Sequence, residues 1–260
     1  MADFLDVLAE SAKDIINSGY YEALKETTVS QISLKKAILK TKNVPVITEI
    51  KAASPSAGTI RKNANARLIA ESMEKGGAVG LSVLTEPKHF NGSLRSLIAA
   101  RKAVKLPILM KDIILSPVQV EAASKAGANV VLLIEALFDR GYCECSVHEM
   151  IARAHSESIE VMLEAHTAEE FRSAVRTNAD LIGINNRDLA TLKVDLEVTK
   201  RILERNDAEG KIVVSESGIN TPADLRFLRD CGAQAFLVGS AVMLSDDVEK
   251  KVREFVSAYG

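Results

Sequence analysis

Between residues 44 and 239 the chain repeats one pattern eight times: a short run rich in Val, Ile and Leu, then a longer stretch with helical spacing. The runs are 44–50, 79–84, 107–111, 130–134, 159–164, 181–185, 212–216 and 235–239. Each is short and almost wholly apolar until its end, as expected of a strand buried on both faces. The helical stretches are 64–75, 94–104, 117–126, 147–155, 168–177, 197–205, 222–230 and 246–257. Gly76-Gly77, Gly127 and Gly232 stand where helices stop, and Ser116-Pro117 and Thr221-Pro222 where helices start. Strands alternating with helices predict a parallel sheet. Eight units in about 215 residues favour an α/β fold of the closed (β/α)8 type, the TIM barrel, over an open doubly wound sheet. No Gly-x-Gly-x-x-Gly follows the first strand, which argues against a dinucleotide fold.

The length of 260 residues suits one domain of this type, with 1–43 as an N-terminal helical extension and 44–260 as the barrel. Residues 3–17 carry an apolar helical stripe that needs burial, and a second helix is expected near 32–39. The net charge of −2 and the scarcity of aromatics (4%, no Trp) give no support for nucleic-acid binding. No apolar run approaches a membrane span, and the acidic N-terminus reads as neither a secretory signal nor a transit peptide. With three cysteines, no disulfide framework is indicated, and a cytoplasmic location is expected. Cys143, Cys145 and His148 lack a standard zinc spacing, so no metal is expected.

In such a barrel, chemistry sits at the C-terminal ends of the strands. The runs end on Glu49 and Lys51, Glu86, Lys111-Asp112, Glu135, Glu164, Asn185 to Asp188, Glu216 to Gly218, and Gly239-Ser240. Glu49 and Lys51 are two residues apart, so on a strand they share a face. Any one of these charges is explained by a strand leaving the core. Two lysines and several glutamates on one rim would need extensive mutual pairing if no ligand were involved. The ends of strands seven and eight, Ser217-Gly218 and Gly239-Ser240, offer backbone N–H groups suited to a phosphate, and Ser54 adds a hydroxyl in the first loop.

The stretches Glu49-Ile-Lys51-Ala-Ala-Ser54-Pro55-Ser56, Leu81 to Glu86, Ile108-Leu-Met-Lys111-Asp112, Gly183 to Leu189, Ser215-Glu-Ser-Gly-Ile219 and Leu237-Val-Gly239-Ser240 together resemble the motifs of indole-3-glycerol phosphate synthase. They span about residues 44 to 243 in that family's order, and the helical extension is also similar. The resemblance implies a carboxy-lyase of tryptophan biosynthesis without cofactor. Its reaction closes the indole ring of 1-(2-carboxyphenylamino)-1-deoxyribulose 5-phosphate with loss of CO2 and water.

On that resemblance Lys111 is the first candidate for general acid. Lys51 binds the anthranilate carboxylate or acts as an acid in a later step. Glu164 is the main base or electrostatic stabiliser, and Glu49 orients the lysines. Asn185, Glu216 and Ser217 position the substrate's hydroxyls and carboxylate. Ser54, Gly218, Gly239 and Ser240, with Arg187 nearby, are expected to hold the phosphate. Phe90, Ile113, Leu133 and Leu189 are expected to hold the anthranilate ring. Two departures stand out: Ile113 occupies a position often aromatic in the family, and Ala52 and Ala57 stand where lysine is frequent. The expected partner is a small phosphorylated substrate, with no nucleic acid and no membrane, on a monomer or a homodimer. The alternatives are another phosphate-binding barrel enzyme or a barrel that only binds a phosphorylated ligand. An isomerase of the phosphoribosylanthranilate kind needs a cysteine at the end of strand one, where this chain has Glu49 and Lys51.

Overall fold

The computed structural model describes residues 3–22, 24, 31–51, 53–54, 58–59 and 65–259. The first apolar run forms β1 (Val46–Ile50), and a small antiparallel pair follows it, β2 (Ala53–Ser54) and β3 (Gly58–Thr59). The other runs form β4 (Gly80–Leu84), β5 (Ile108–Lys111), β6 (Val130–Ile134), β7 (Glu160–Ala165), β8 (Leu181–Asn185), β9 (Ile212–Glu216) and β10 (Ala235–Val238). Strand β1 and strands β4 to β10 pair in parallel and close into a barrel, with β1 bonded to both β4 and β10. The fold is thus a (β/α)8 barrel, as the alternation predicts.

The helices are α1 (Phe4–Asn17), α2 (Leu34–Lys40), α3 (Ala66–Lys75), α4 (Leu94–Ala103), α5 (Pro117–Ala126), α6 (Glu135–Asp139), α7 (Val147–Ser156), α8 (Ala168–Val175), α9 (Glu197–Leu203), α10 (Pro222–Asp230), α11 (Ser240–Met243) and α12 (Val248–Val256). Side-chain caps set several starts. Asn65 accepts from the N–H groups of Arg67 and Leu68, so α3 begins at Ala66. Ser116 and Thr221 form capping boxes with Gln119 and Asp224 ahead of a first-turn proline. Gly127 ends α5 with φ 94°, a left-handed value that glycine adopts without a Cβ clash.

Along each strand alternate residues face inward and outward. The outward residues, such as Val131, Leu133, Ile182 and Phe236, join one large cluster with the helices. The inward ones, such as Ile47, Leu109, Met162, Leu181 and Val214, fill the barrel. The register arranges the inward residues in layers. From Glu49 the ladder runs through Ser82 to Leu109, two residues short of Lys111. The same two-residue rise per pair of strands leads on through β6 and β7 to Glu164, through β8 and β9 to Glu216, and through β10 back to Glu49. Glu49, Lys111, Glu164 and Glu216 therefore form one layer of four from alternate strands, the repeat expected of a barrel with this stagger. Such layers are normally aliphatic; this one is charged.

The N-terminal helices work at opposite ends of the barrel. On α1, Leu5, Leu8 and Ala9 are buried in the cluster that contains the barrel interior, and Phe4 and Leu8 face the cavity at the strands' C-terminal ends. Burying a leucine of this kind is worth about 2 kcal/mol, and Arg140 pairs with Asp3 and Asp6 at the start of the helix. Behind it, Tyr21 Oη donates to Asp112 Oδ2 at 3.0 Å. By contrast α2 sits under the barrel. The N–H of Leu34 donates to Glu160, the first residue of β7, at 2.8 Å. A Cβ on Gly80, the first residue of β4, would meet Leu34 Cδ1 at 2.7 Å.

Candidate active site

A cavity of about 260 Å³ opens above the charged layer. Of the residues expected at the site, Glu49, Lys51, Lys111, Glu164, Asn185, Arg187, Ser217, Gly218, Gly239 and Ser240 line it, with Phe90, Ile113 and Leu189 on its apolar side. For Ser54 only the backbone, in β2, is described; its side chain lies outside the described residues, as do Ala52 and Ala57.

Lys51 Nζ lies 3.1 Å from Glu49 Oε1, so the two form an ion pair on the inner face of β1. Lys111 Nζ donates to Glu216 Oε2 and stands 3.5 Å from Glu164 Oε2. Asn185 Nδ2 donates to Glu164 Oε1 at 3.1 Å. All three glutamates are buried. Burial alone would neutralise Lys111, but the carboxylates of Glu216, Glu164 and Glu49 outweigh it and hold the ammonium charged well above its ordinary range. Burial also opposes ionisation of Glu164; Lys111, His166 and Asn185 more than offset it and bring this carboxyl down to about 2. Glu49 is likewise held low, chiefly by Lys51 and Lys111 against its burial. Glu216 goes the other way. Its burial and the neighbouring glutamates outweigh Lys111 and push it up to about 7. Within this layer the Lys111 ammonium favours ionised carboxylates, while burial and the neighbouring glutamates oppose it.

Two glycines on the even-numbered strands of the barrel make room for these side chains. A Cβ on Gly183 would overlap Glu216 Oε1, and one on Gly239 would meet Glu49 Oε1 at 2.6 Å and Lys51 Nζ at 3.0 Å.

At one end of the cavity the backbone is shaped for an anion. Ser217 (φ 68°) and Gly218 (φ 80°) are both left-handed, so the chain leaves β9 in a tight turn. Asn186 holds that turn from below. Its Nδ2 donates to Ser215 Oγ, Glu216 O and Ser217 O, while its Oδ1 accepts from the N–H and hydroxyl of Thr199. Beside the turn, α11 starts at Ser240 with no side-chain cap, a helix start suited to phosphate. Arg187 lines the cavity, but its Nη1 donates to Leu192 O at 2.9 Å, which ties the guanidinium to its own loop.

Three expectations need correction. Leu133 does not reach the cavity; it is on the outward face of β6, and Leu132 and Ile134 line the site instead. Glu135 belongs to that outward side as well: the chain turns into α6 there, and Glu135 Oε1 accepts from Ser173 of α8 at 2.5 Å. Glu216 does not line the cavity. It is fully buried beneath it and meets the site through Lys111. Sequence reasoning also missed Phe4 and Leu8, because a helical stripe does not say where it docks. It missed His166, two residues beyond Glu164 and just past the end of β7, whose ring nitrogen stands 3.2 Å from Glu164.

The family model for indole-3-glycerol phosphate synthase matches residues 6–255. Among curated relatives, the indole-3-glycerol phosphate synthase of Methanocaldococcus jannaschii is 43% identical over 230 residues, 87% of this chain and 84% of the relative. That of Oceanobacillus iheyensis is 36% identical over 248 residues, 95% of this chain and 94% of the relative. Among solved structures, thiamine phosphate pyrophosphorylase from Pyrococcus furiosus superposes with a TM-score of 0.61 at 18% identity, covering 87% of this chain and 97% of that one; this likeness concerns the fold alone. With the family model matched over residues 6–255 and relatives matched along nearly their whole length, the chain belongs to the indole-3-glycerol phosphate synthase family.

Proposed function

We infer that the chain is a carboxy-lyase of tryptophan biosynthesis. It converts 1-(2-carboxyphenylamino)-1-deoxyribulose 5-phosphate into indole-3-glycerol phosphate, CO2 and water. The observation that carries the residue roles is the single ammonium of Lys111 facing the cavity from a layer otherwise made of glutamates.

In this reading the phosphate binds at Gly218, Gly239 and Ser240, with Ser217 beside it. The anthranilate ring lies toward Phe90, Ile113, Leu132, Ile134 and Leu189, where aliphatic walls exclude water. The substrate's C2′ carbonyl then points at Lys111. As the ring carbon bearing the carboxylate attacks C2′, negative charge grows on that oxygen, and the Lys111 ammonium stabilises it and delivers the proton. The aniline nitrogen becomes cationic in the same step, and the Glu164 carboxylate, held ionised, offsets that charge. Loss of CO2 returns electrons to the ring. Departure of the new hydroxyl as water then needs an acid to protonate it and a base to take the proton from C1′; Lys51, paired with Glu49, is placed as the acid, and the ionised Glu164 carboxylate serves as the base. Glu216 sets the charge on Lys111 from below, and Asn185 aims Glu164. A cytoplasmic location accompanies this reading.

The test is formation of indole-3-glycerol phosphate, followed by its indole fluorescence, with the purified chain and with Lys111→Met. Methionine keeps an unbranched side chain, one atom shorter, and removes the charge and the proton. The expected result is turnover by the wild type and a fall in kcat of about 10²- to 10⁴-fold in the variant, the usual worth of general acid catalysis. Absence of product from the wild type would refute the activity, and near-normal turnover by the variant would remove Lys111 from its role.

A further inference from the structure

Glu164 has a cationic neighbour besides Lys111. His166 follows it just past the end of β7, with a side chain that is only 12% exposed. Its Nε2 stands 3.2 Å from Glu164 Oε1, and its Nδ1 stands 3.3 Å from Glu170 Oε2 on α8. The contact to Glu164 is one of charge rather than an aligned hydrogen bond, since Nε2 has no hydrogen-bond partner among the described residues. The same Glu170 oxygen accepts the backbone N–H of His166 at 2.7 Å, so the start of α8 fixes where the ring sits. His166 does not line the cavity.

We propose that His166 is a positioning residue for the reaction: an imidazolium clamped between Glu164 and Glu170 that keeps the Glu164 carboxylate ionised and in place when Lys111 turns to the substrate. The proposal rests on the carboxy-lyase reading. Lys111 is shared between Glu216 and Glu164 in the free site. Once its ammonium engages the substrate's carbonyl oxygen, Glu164 loses part of its compensation in a dry setting, where an unpaired carboxylate is costly. A second, fixed cation removes that cost, and it cannot compete as a proton donor to the substrate because it does not reach the cavity.

The groups around the ring agree with a charged imidazole. Glu164 faces it from its own strand and Glu170 from α8. Asp188, after β8, is close enough to be held below its ordinary range in part by His166. Glu135 on α6 is near enough to Glu170 to feel its charge, and Lys111 stands 3.5 Å from the other oxygen of Glu164. Burial opposes the charge, yet Glu164 and Glu170 outweigh it and push the ring up to about 10. The ring would then be cationic throughout the range in which such an enzyme works.

The experiment compares the pH dependence of kcat, which reports the substrate complex, in the wild type and in His166→Gln, which keeps a polar side chain and loses the charge. An opposite charge within about 4–6 Å lowers a carboxyl by one to three units. The acidic limb of the variant is therefore expected to move up by about one unit or more, with kcat falling more than KM changes. Superposable profiles would overturn the proposal. Because a buried substitution can unfold the chain, 15N NMR of His166 in the wild type gives a second readout. Both ring nitrogens are expected to stay protonated from about pH 6 to 8, and a ring that titrates in that range would overturn the proposal. If instead the wild type makes no product while the ring stays protonated, the carboxy-lyase reading fails and the charge state of His166 does not.

Discussion

Replacing Gly239 with alanine tests the arrangement of the charged rim with the smallest change available. No left-handed strain opposes it: Gly239 has a negative φ, −115° with ψ −73°. The obstacle is the side chains. The added Cβ would lie 2.6 Å from Glu49 Oε1 and 3.0 Å from Lys51 Nζ, against an ordinary contact of 3.4 Å or more. Relief therefore requires the Glu49 carboxylate to move by about 0.8 Å and the Lys51 ammonium by about 0.4 Å, taken from those distances. Glu49 is only 4% exposed, so it has little space to move into without changing its 3.1 Å pair with Lys51. Overpacking of a filled interior costs about 1–3 kcal/mol, and loss of glycine freedom in the unfolded chain returns about 0.4–1 kcal/mol. The expected net loss is thus about 1–2 kcal/mol, readable as a lower urea midpoint. A misplacement near 1 Å costs about 10²-fold in rate, or about 2.7 kcal/mol of transition-state stabilisation. The fluorescence assay should accordingly show kcat lower by about 30- to 100-fold. A variant with kcat within about threefold of wild type and an unchanged midpoint would mean that Glu49 and Lys51 relocate without consequence, and the reasoning would be wrong.

Two further outcomes are expected. Ser240→Glu places a carboxylate where the phosphate is read to bind; like charges about 4 Å apart near a protein surface repel by up to about 4 kcal/mol. KM should rise at least about tenfold with a smaller effect on kcat, and an unchanged KM would move the phosphate elsewhere. Asp112 is buried, and despite bonds from Thr85 at 2.5 Å and Tyr21 at 3.0 Å its carboxyl is pushed up to about 6 from 3.8. A raised carboxyl favours folding below its unfolded value and loses that contribution as pH rises to its folded value. Asp112→Asn should therefore flatten the fall in stability between about pH 4 and 6, by up to about 1.4 kcal/mol per pH unit, seen in urea midpoints; parallel curves would refute the assignment.

Much of the site was legible because each strand ends on its own chemistry. Glu49, Lys51, Lys111, Glu164 and Asn185 all lie at C-terminal strand ends, and a parallel barrel must bring those ends to one rim. Leu133 and Glu135 were not legible in this way: both side chains face the helices, since the chain turns into α6 directly after Ile134. The setting of His166 is not legible in the sequence, because it depends on Glu170, brought in by the following helix.

The sequence by itself determined the architecture and the list of reactive groups, because alternation, caps and strand-end charges are local properties of the chain. It could not determine which groups pair. That Lys111 leans on Glu216 as well as Glu164, that Glu216 lies sealed below the cavity, and that one N-terminal helix lids the rim while the other closes the base are non-local facts. They follow from the stagger with which the strands close, two residues for each pair of strands. That stagger alone places Glu49, Lys111, Glu164 and Glu216 at one height.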